Sequence, residues 1–168
     1  MINQLGEYGP QLMLIMSLPI LWTKQLLLNY FLVGGYLSML LNSVLKYIFK
    51  HPRPNTQMRT FDANVKNTTF IQSVTKDTFG FPSGHTQNAV YLTIMMYHVF
   101  GVKPITILYA IYSVFIMWQR VNTKNHYIYQ VIGGAITGVV IATGVYYSYK
   151  NHIIGQISNK IDDCSNIF

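Results

Sequence analysis

The chain has 168 residues and a formal net charge of +7; 10% of its residues are charged, 51% hydrophobic and 14% aromatic. Soluble domains carry about 25% charged residues, so this composition excludes an ordinary water-soluble domain and points to a membrane. The positive balance fits anionic headgroups or a phosphate substrate, and the chain lacks the basic stripe of a nucleic-acid-binding module, so no nucleic-acid partner is expected. The length suits one domain over 1–168, with a core at 26–149 and a polar tail at 150–168. The single cysteine, Cys164, excludes an internal disulfide. No basic region precedes the first apolar stretch, so no cleaved signal peptide is expected.

Pro10 to Trp22 is apolar but spans only 13 residues, short of the roughly 20 that cross the hydrocarbon. It is read as a short span, a re-entrant segment or an interfacial helix, closed by Lys24 and Gln25. Leu26 to Phe49 reads as a transmembrane helix, with Gly34 and Gly35 permitting close packing and no charge before Lys46. Pro52 and Pro54 end it. Asn55 to Gly80 is polar, with Arg59, Lys66, Lys76, Asp62 and Asp77, and reads as a loop over one face; Asn67-Thr68-Thr69 is a short glycosylation-acceptor pattern. Ser83 to Phe100 predicts a third helix stopped by Gly101, and Ile105 to Trp118 a fourth. Val121 to Asn125 reads as a polar link, and His126 to Tyr149 as a fifth helix with a small-residue face at Gly133, Gly134, Gly138 and Gly144. The expected fold is an all-α integral membrane bundle of about five helices. The turns at Lys24 and Lys103 lie on one side, and the polar segments 50–82 and 120–126 lie on the other.

Three groups of residues meet on that second side: Lys46 with Arg53-Pro54, Pro82-Ser83-Gly84-His85, and Arg120 with His126 and Gln130. Three cations and two histidines without an acidic cluster suggest oxyanion chemistry with no metal and no cofactor, since a divalent-metal site needs several Asp, Glu or His ligands. Asp62 and Asp77 stand at no useful spacing for such a site. Lys and Arg neutralise a phosphoryl group directly, and Arg forks onto two of its oxygens. Ser83 offers a hydroxyl, and the backbone near Gly84 offers N–H donors at a helix start. Taken singly, each residue has an ordinary explanation. Lys46 can snorkel to the headgroups, Arg53 and Arg120 can be interfacial anchors, and each histidine can be incidental. Their shared face and complementary chemistry favour a site. His51, His98 and His152 are given no role.

The three groups resemble the signature motifs of the type 2 phosphatidic acid phosphatase (PAP2) superfamily: Lys-x6-Arg-Pro, Pro-Ser-Gly-His and Ser-Arg-x5-His-x3-Asp. They stand in the same order with the same internal spacings between Lys46 and Gln130. The resemblance implies that His126 is a nucleophile forming a phosphohistidine and that His85 protonates the leaving oxygen and then activates water. It implies that Lys46, Arg53, Arg120, Ser83 and Gly84 hold the phosphoryl oxygens. Gln119 replaces the usual Ser, and Gln130 replaces the usual Asp. Gln130 is expected to orient His126 by accepting from the imidazole N–H, without contributing charge.

The flanks of the second and third motifs look closest to the dolichyl diphosphate phosphatase branch. The resemblance therefore implies a multi-pass membrane hydrolase of a lipid phosphate or polyprenyl diphosphate, with membrane lipids around it. The endoplasmic reticulum or another endomembrane is the compartment it suggests. Phosphatidate or lysophosphatidate is the rival substrate. Vanadium-dependent haloperoxidases share the cationic site but are soluble. A non-catalytic lipid-binding protein of the same fold is the alternative from another class. Gln130 favours it, whereas two histidines beside three cations favour catalysis. The positive-inside rule places the site in the cytoplasm, while the resemblance places it on the lumenal or external side.

Overall fold

The computed structural model describes residues 2–56, 61–62, 65–66 and 68–165, all helix, turn or coil. Arg59 and Asn67, and with Asn67 the glycosylation pattern, lie outside the described residues. Seven helical segments are present among those described, against the five expected. They are α1 (Ile2–Glu7), α2 (Gly9–Leu21), α3 (Gln25–Phe49), α4 (Phe70–Thr75), α5 (Gly84–Phe100), α6 (Pro104–Asn122) and α7 (Ile128–Ser165). Five of them, α2, α3, α5, α6 and α7, form the bundle, and the two six-residue helices α1 and α4 lie at its site end.

α5 is the axis. It packs most extensively on α7 and α6, and also against α2 and α3. Tyr91, Leu92, Met95 and Met96 are buried along it. The three helices long and apolar enough to cross a membrane surround it: α3, α6 and the 128–156 part of α7, with mean hydropathies of 1.3, 1.2 and 1.7. Their outward residues, among them Val33, Tyr36, Ile111, Val114, Ile136 and Val140, are exposed, as lipid-facing positions must be.

The α5–α7 contact explains the expected small-residue face. A Cβ at Gly134 would lie 2.5 Å from the Ser83 carbonyl oxygen, and one at Gly138 would lie 2.6 Å from that of Gln87. Only glycine lets the two backbones approach this closely. At Gly144, on the same helix, an added Cβ would meet nothing within 4 Å, so no close approach calls for glycine there. Polar groups pin the crossing below the site. Gln87 donates to the Ser38 carbonyl (2.7 Å) and hydroxyl (2.9 Å), and its Oε1 accepts from Asn42 (2.9 Å) and Thr137 (3.0 Å).

α2 packs against α5, and the residues flanking it reach both ends of that helix. At one end His85 meets the Glu7 carbonyl at 3.0 Å, and at the other the Lys24 ammonium lies 5.5 Å from the centre of the Phe100 ring. The 13 residues of α2 cover about 20 Å, less than the hydrocarbon thickness of about 30 Å.

Three other boundaries differ from expectation. The 55–80 segment contains α4, because Thr69 accepts from the Gln72 N–H while the Gln72 side chain accepts from the Thr69 N–H, a capping box that nucleates a single turn. α6 continues to Asn122, so the link before α7 is 123–127, and α7 starts at Ile128 instead of His126. The residues from Lys150 onward, expected as a peripheral tail, continue α7 as far as Ser165, because no proline interrupts them.

Candidate active site

The site end of the bundle is built by three chain reversals. The first follows α3: Lys50 adopts a left-handed conformation (φ 49°), and His51-Pro52-Arg53 turns back over the helix ends. This places the Arg53 guanidinium beside the Lys46 ammonium, each with about an eighth of its side-chain surface exposed. The second is the 76–83 segment, which ends in a cis Phe81–Pro82 peptide and hands the chain to α5 with Ser83 as its N-cap. Gln87 N–H makes the first bond to the Ser83 carbonyl (3.0 Å), so the N–H groups of Gly84, His85 and Thr86 precede the intrahelical ladder. The third closes α6. Lys124 is left-handed (φ 56°), its N–H bonds the Val121 carbonyl, and the N–H groups of Asn125 and His126 both bond the Arg120 carbonyl at 3.1 Å. This Schellman turn carries His126 back beneath the end of α6.

His126 is 2% exposed, and its Nδ1 lies 2.9 Å from the Gly80 carbonyl and 3.1 Å from Gln130 Oε1. A carbonyl only accepts, so Nδ1 carries the proton, and the neutral ring keeps its free lone pair on Nε2. Burial lowers the His126 pKa to about 3, with further lowering from Arg53, Lys46 and Arg120, against a smaller raising effect of the bond to Gln130. The imidazole is therefore neutral in the free protein.

Gln130 is wholly buried and ties all three motifs together. Its Oε1 accepts from His126 and from the Tyr127 N–H (3.1 Å), and its Nε2 donates to the Pro52 carbonyl (2.8 Å) and to Tyr129 (3.2 Å). Its backbone carbonyl accepts from the Ser83 N–H at 3.0 Å. A Cβ at Gly80 would lie 2.6 Å from the Gln130 amide nitrogen, so a side chain there would push the amide off its hydrogen bonds.

Arg120 is 6% exposed, and its Nε, like that of Arg53, is buried with no hydrogen-bond partner among the described residues. Buried guanidinium nitrogens are rarely left unpaired, so both suit an anion seat. Ser83 is fully buried, and its hydroxyl accepts from Thr86 at 3.2 Å. His85 donates from Nε2 to the Glu7 carbonyl at 3.0 Å, a contact that engages the ring with the end of α1.

Asp77 bridges Lys46 and Arg53 with its two carboxylate oxygens, a role its spacing in the sequence does not reveal. Burial raises its pKa, but Lys46 and Arg53 outweigh that effect and hold it below the usual carboxylate range. Among the described residues, no three His, Cys, Asp or Glu side chains gather as metal ligands.

Two cavities open at this end. One, of about 550 Å³, is a groove between α2, α3 and α5. Lys46, Asp77, Gly84 and His85 stand at its polar mouth, and Leu14, Phe31, Leu32, Gly35, Met39 and Leu92 line its apolar length. The other is an open depression lined by Pro54, Val121, Lys124, His126 and Tyr127. The two histidines thus belong to different cavities. Lys46 and Arg120 are electrostatically coupled to both of them, and Arg53 to His126.

No curated protein and no solved structure matches the chain. A model of the PAP2 superfamily matches residues 27–154, which is 128 of the 168 residues and includes all eight residues singled out from the sequence. With its long apolar helices, the chain belongs to the PAP2 superfamily, a membrane protein of a family whose activity is of the phosphatase type, on phosphoesters.

Proposed function

We propose that the protein hydrolyses a lipid phosphate or polyprenyl diphosphate, of the dolichyl type, through a phosphohistidine at His126. The observation that carries this reading is the cradle of Lys46, Arg53 and Arg120, with two guanidinium nitrogens unpaired among the described residues, next to a His126 whose Nδ1–H is fixed and whose Nε2 is free, and with Lys46 beside His85 at the groove mouth. In-line phosphoryl transfer needs a nucleophile and a leaving group on opposite sides of phosphorus, with positive charge around its equatorial oxygens.

His126 Nε2 attacks phosphorus with its lone pair while Nδ1–H stays bonded to Gly80 and Gln130. The P–O bond to the leaving group breaks. His85, held as an imidazolium by the bound anionic substrate with a proton on each ring nitrogen, gives its Nε2 proton to the departing oxygen and stays neutral with the other on Nδ1, exchanging the bond to Glu7 for one to substrate. Lys46, Arg53 and Arg120 take up the charge on the phosphoryl oxygens, with the Ser83 hydroxyl and the N–H groups from Gly84 onward beside them. Water then enters on the leaving-group side and gives a proton to His85. Its oxygen displaces Nε2, releasing orthophosphate and neutral His126.

The apolar groove behind His85 supports a lipid leaving group, because a chain attached to the phosphate lies along α3 and α5. The test is phosphate release from the detergent-solubilised full chain in EDTA, with polyprenyl diphosphate, phosphatidate and a short soluble phosphate monoester compared. Turnover of a long-chain substrate that persists in EDTA and disappears in His126→Ala is the expected result. Turnover that needs Mg²⁺ overturns the mechanism. Specific lipid binding without phosphate release makes the chain a lipid-binding protein.

A further inference from the structure

Asp77 is the one carboxylate described in contact with the cradle, and the chain is shaped to put it there. It follows α4 directly. Its N–H bonds the Val74 carbonyl, and the Thr78 N–H bonds that of Ser73, both at 3.3 Å, which completes a Schellman turn with Asp77 at the left-handed position (φ 44°). Glycine is the usual occupant of that position and adopts it freely, whereas a side chain there carries a conformational cost. The turn alone does not call for a carboxylate. What the carboxylate does is engage Lys46 and Arg53, two of the three cations in the cradle. α4 comes with it: Ser73, Val74 and Asp77 all line the mouth of the groove, and Phe70 packs edge-on against Tyr47 of α3 with ring centres 5.4 Å apart. The Asp77 side chain is 54% exposed, so it has room to swing outward.

We infer that Asp77 is an internal anion competing with the substrate phosphate for Lys46 and Arg53, so that α4 is a latch over the groove mouth that opens as the phosphoryl group takes the cations. This rests on the phosphate-site reading above. A carboxylate brings one charge and two oxygens, while a phosphate group brings nearly two charges and three oxygens, so the exchange favours substrate. Each approach of substrate must first free the cations, and that lowers the apparent affinity by the fraction of time they are free.

The probe is inorganic orthophosphate, titrated calorimetrically into the detergent-solubilised full chain. The variants are Asp77→Asn, which removes the charge and tolerates the left-handed backbone, Asp77→Gly, which places the usual residue in the turn, and Arg53→Met. The expected result is binding about tenfold tighter in both Asp77 variants, as for cations free only about a tenth of the time in the wild type, and loss of binding in Arg53→Met. A loss of structure does not tighten binding, so the sign of the change separates the latch from a merely structural role. Unchanged or weaker binding in either Asp77 variant, with dependence on Arg53 intact, overturns the latch and leaves the phosphate site standing. Binding that is absent throughout, or indifferent to Arg53→Met, overturns the phosphate site and the latch together.

Discussion

Gln130 donates its side-chain amide to the Pro52 carbonyl at 2.8 Å, joining the residue before Arg53 to the helix that follows His126. The other end of the same amide accepts from His126 Nδ1. An aspartate, the usual residue of the family motif, can accept from the imidazole but cannot donate to Pro52. Gln130 therefore gives up charge beside the nucleophile and gains a strut between the first and third motifs. Gln130→Asp leaves the Pro52 carbonyl unpaired and is expected to cost about 1–3 kcal/mol, read as a lower thermal unfolding temperature.

In Gln130→Leu the Gly80 carbonyl still holds Nδ1–H, so the tautomer survives. The expected loss in kcat is about 10- to 100-fold, smaller than the roughly 10⁴-fold loss seen when a triad carboxylate alone sets the tautomer. Steady-state phosphate release measures it.

His126 responds to pH with a definite sign. Its pKa in the folded protein is about 3, against about 6.5 in an unfolded chain, so between these values the unfolded state binds a proton that the folded state does not. Stability is full above about pH 6.5 and declines as pH falls toward 3. The unfolding temperature in detergent should drop between pH 7 and pH 5, and drop less in His126→Gln.

The α5–α7 contact gives a paired prediction. Gly134→Ala drives a methyl group into the Ser83 carbonyl, so overpacking should cost about 1–3 kcal/mol and displace the start of α5, which carries Ser83 and His85. Gly144→Ala meets nothing and should be neutral or stabilising by up to about 1 kcal/mol. Thermal unfolding and phosphate release on both variants separate the two.

Leu32→Trp and Met39→Trp place bulk in the apolar length of the groove, remote from the cations. They should raise KM for a long-chain substrate several-fold and leave turnover of a short soluble phosphate monoester within about twofold, because a remote change in uniform binding acts on KM. Equal effects on both substrates would remove the groove from the substrate path.

The sequence exposed what its apolar runs and motif spacings encode. The bundle helices, the glycine face at 134 and 138, and the Gln130 bond to His126 were all legible, because each depends on local period or spacing. α4 was missed although Thr69 and Gln72 spell its capping box, since six residues show no period. Asp77 was missed because its partners lie 31 and 24 residues away, and only the fold brings them together. The division of the two histidines between two cavities likewise has no local signal; it follows from which helices face each other.

A phosphoenzyme at His126 is the most direct mark of the proposed reaction. The full chain is mixed with substrate in EDTA, quenched in alkali within a turnover, and digested for mass spectrometry. The expected result is an acid-labile, alkali-stable phosphate on the peptide carrying His126, formed no more slowly than turnover and absent from His126→Ala. Turnover that continues in His126→Ala, or a phosphoenzyme on another residue, would contradict it.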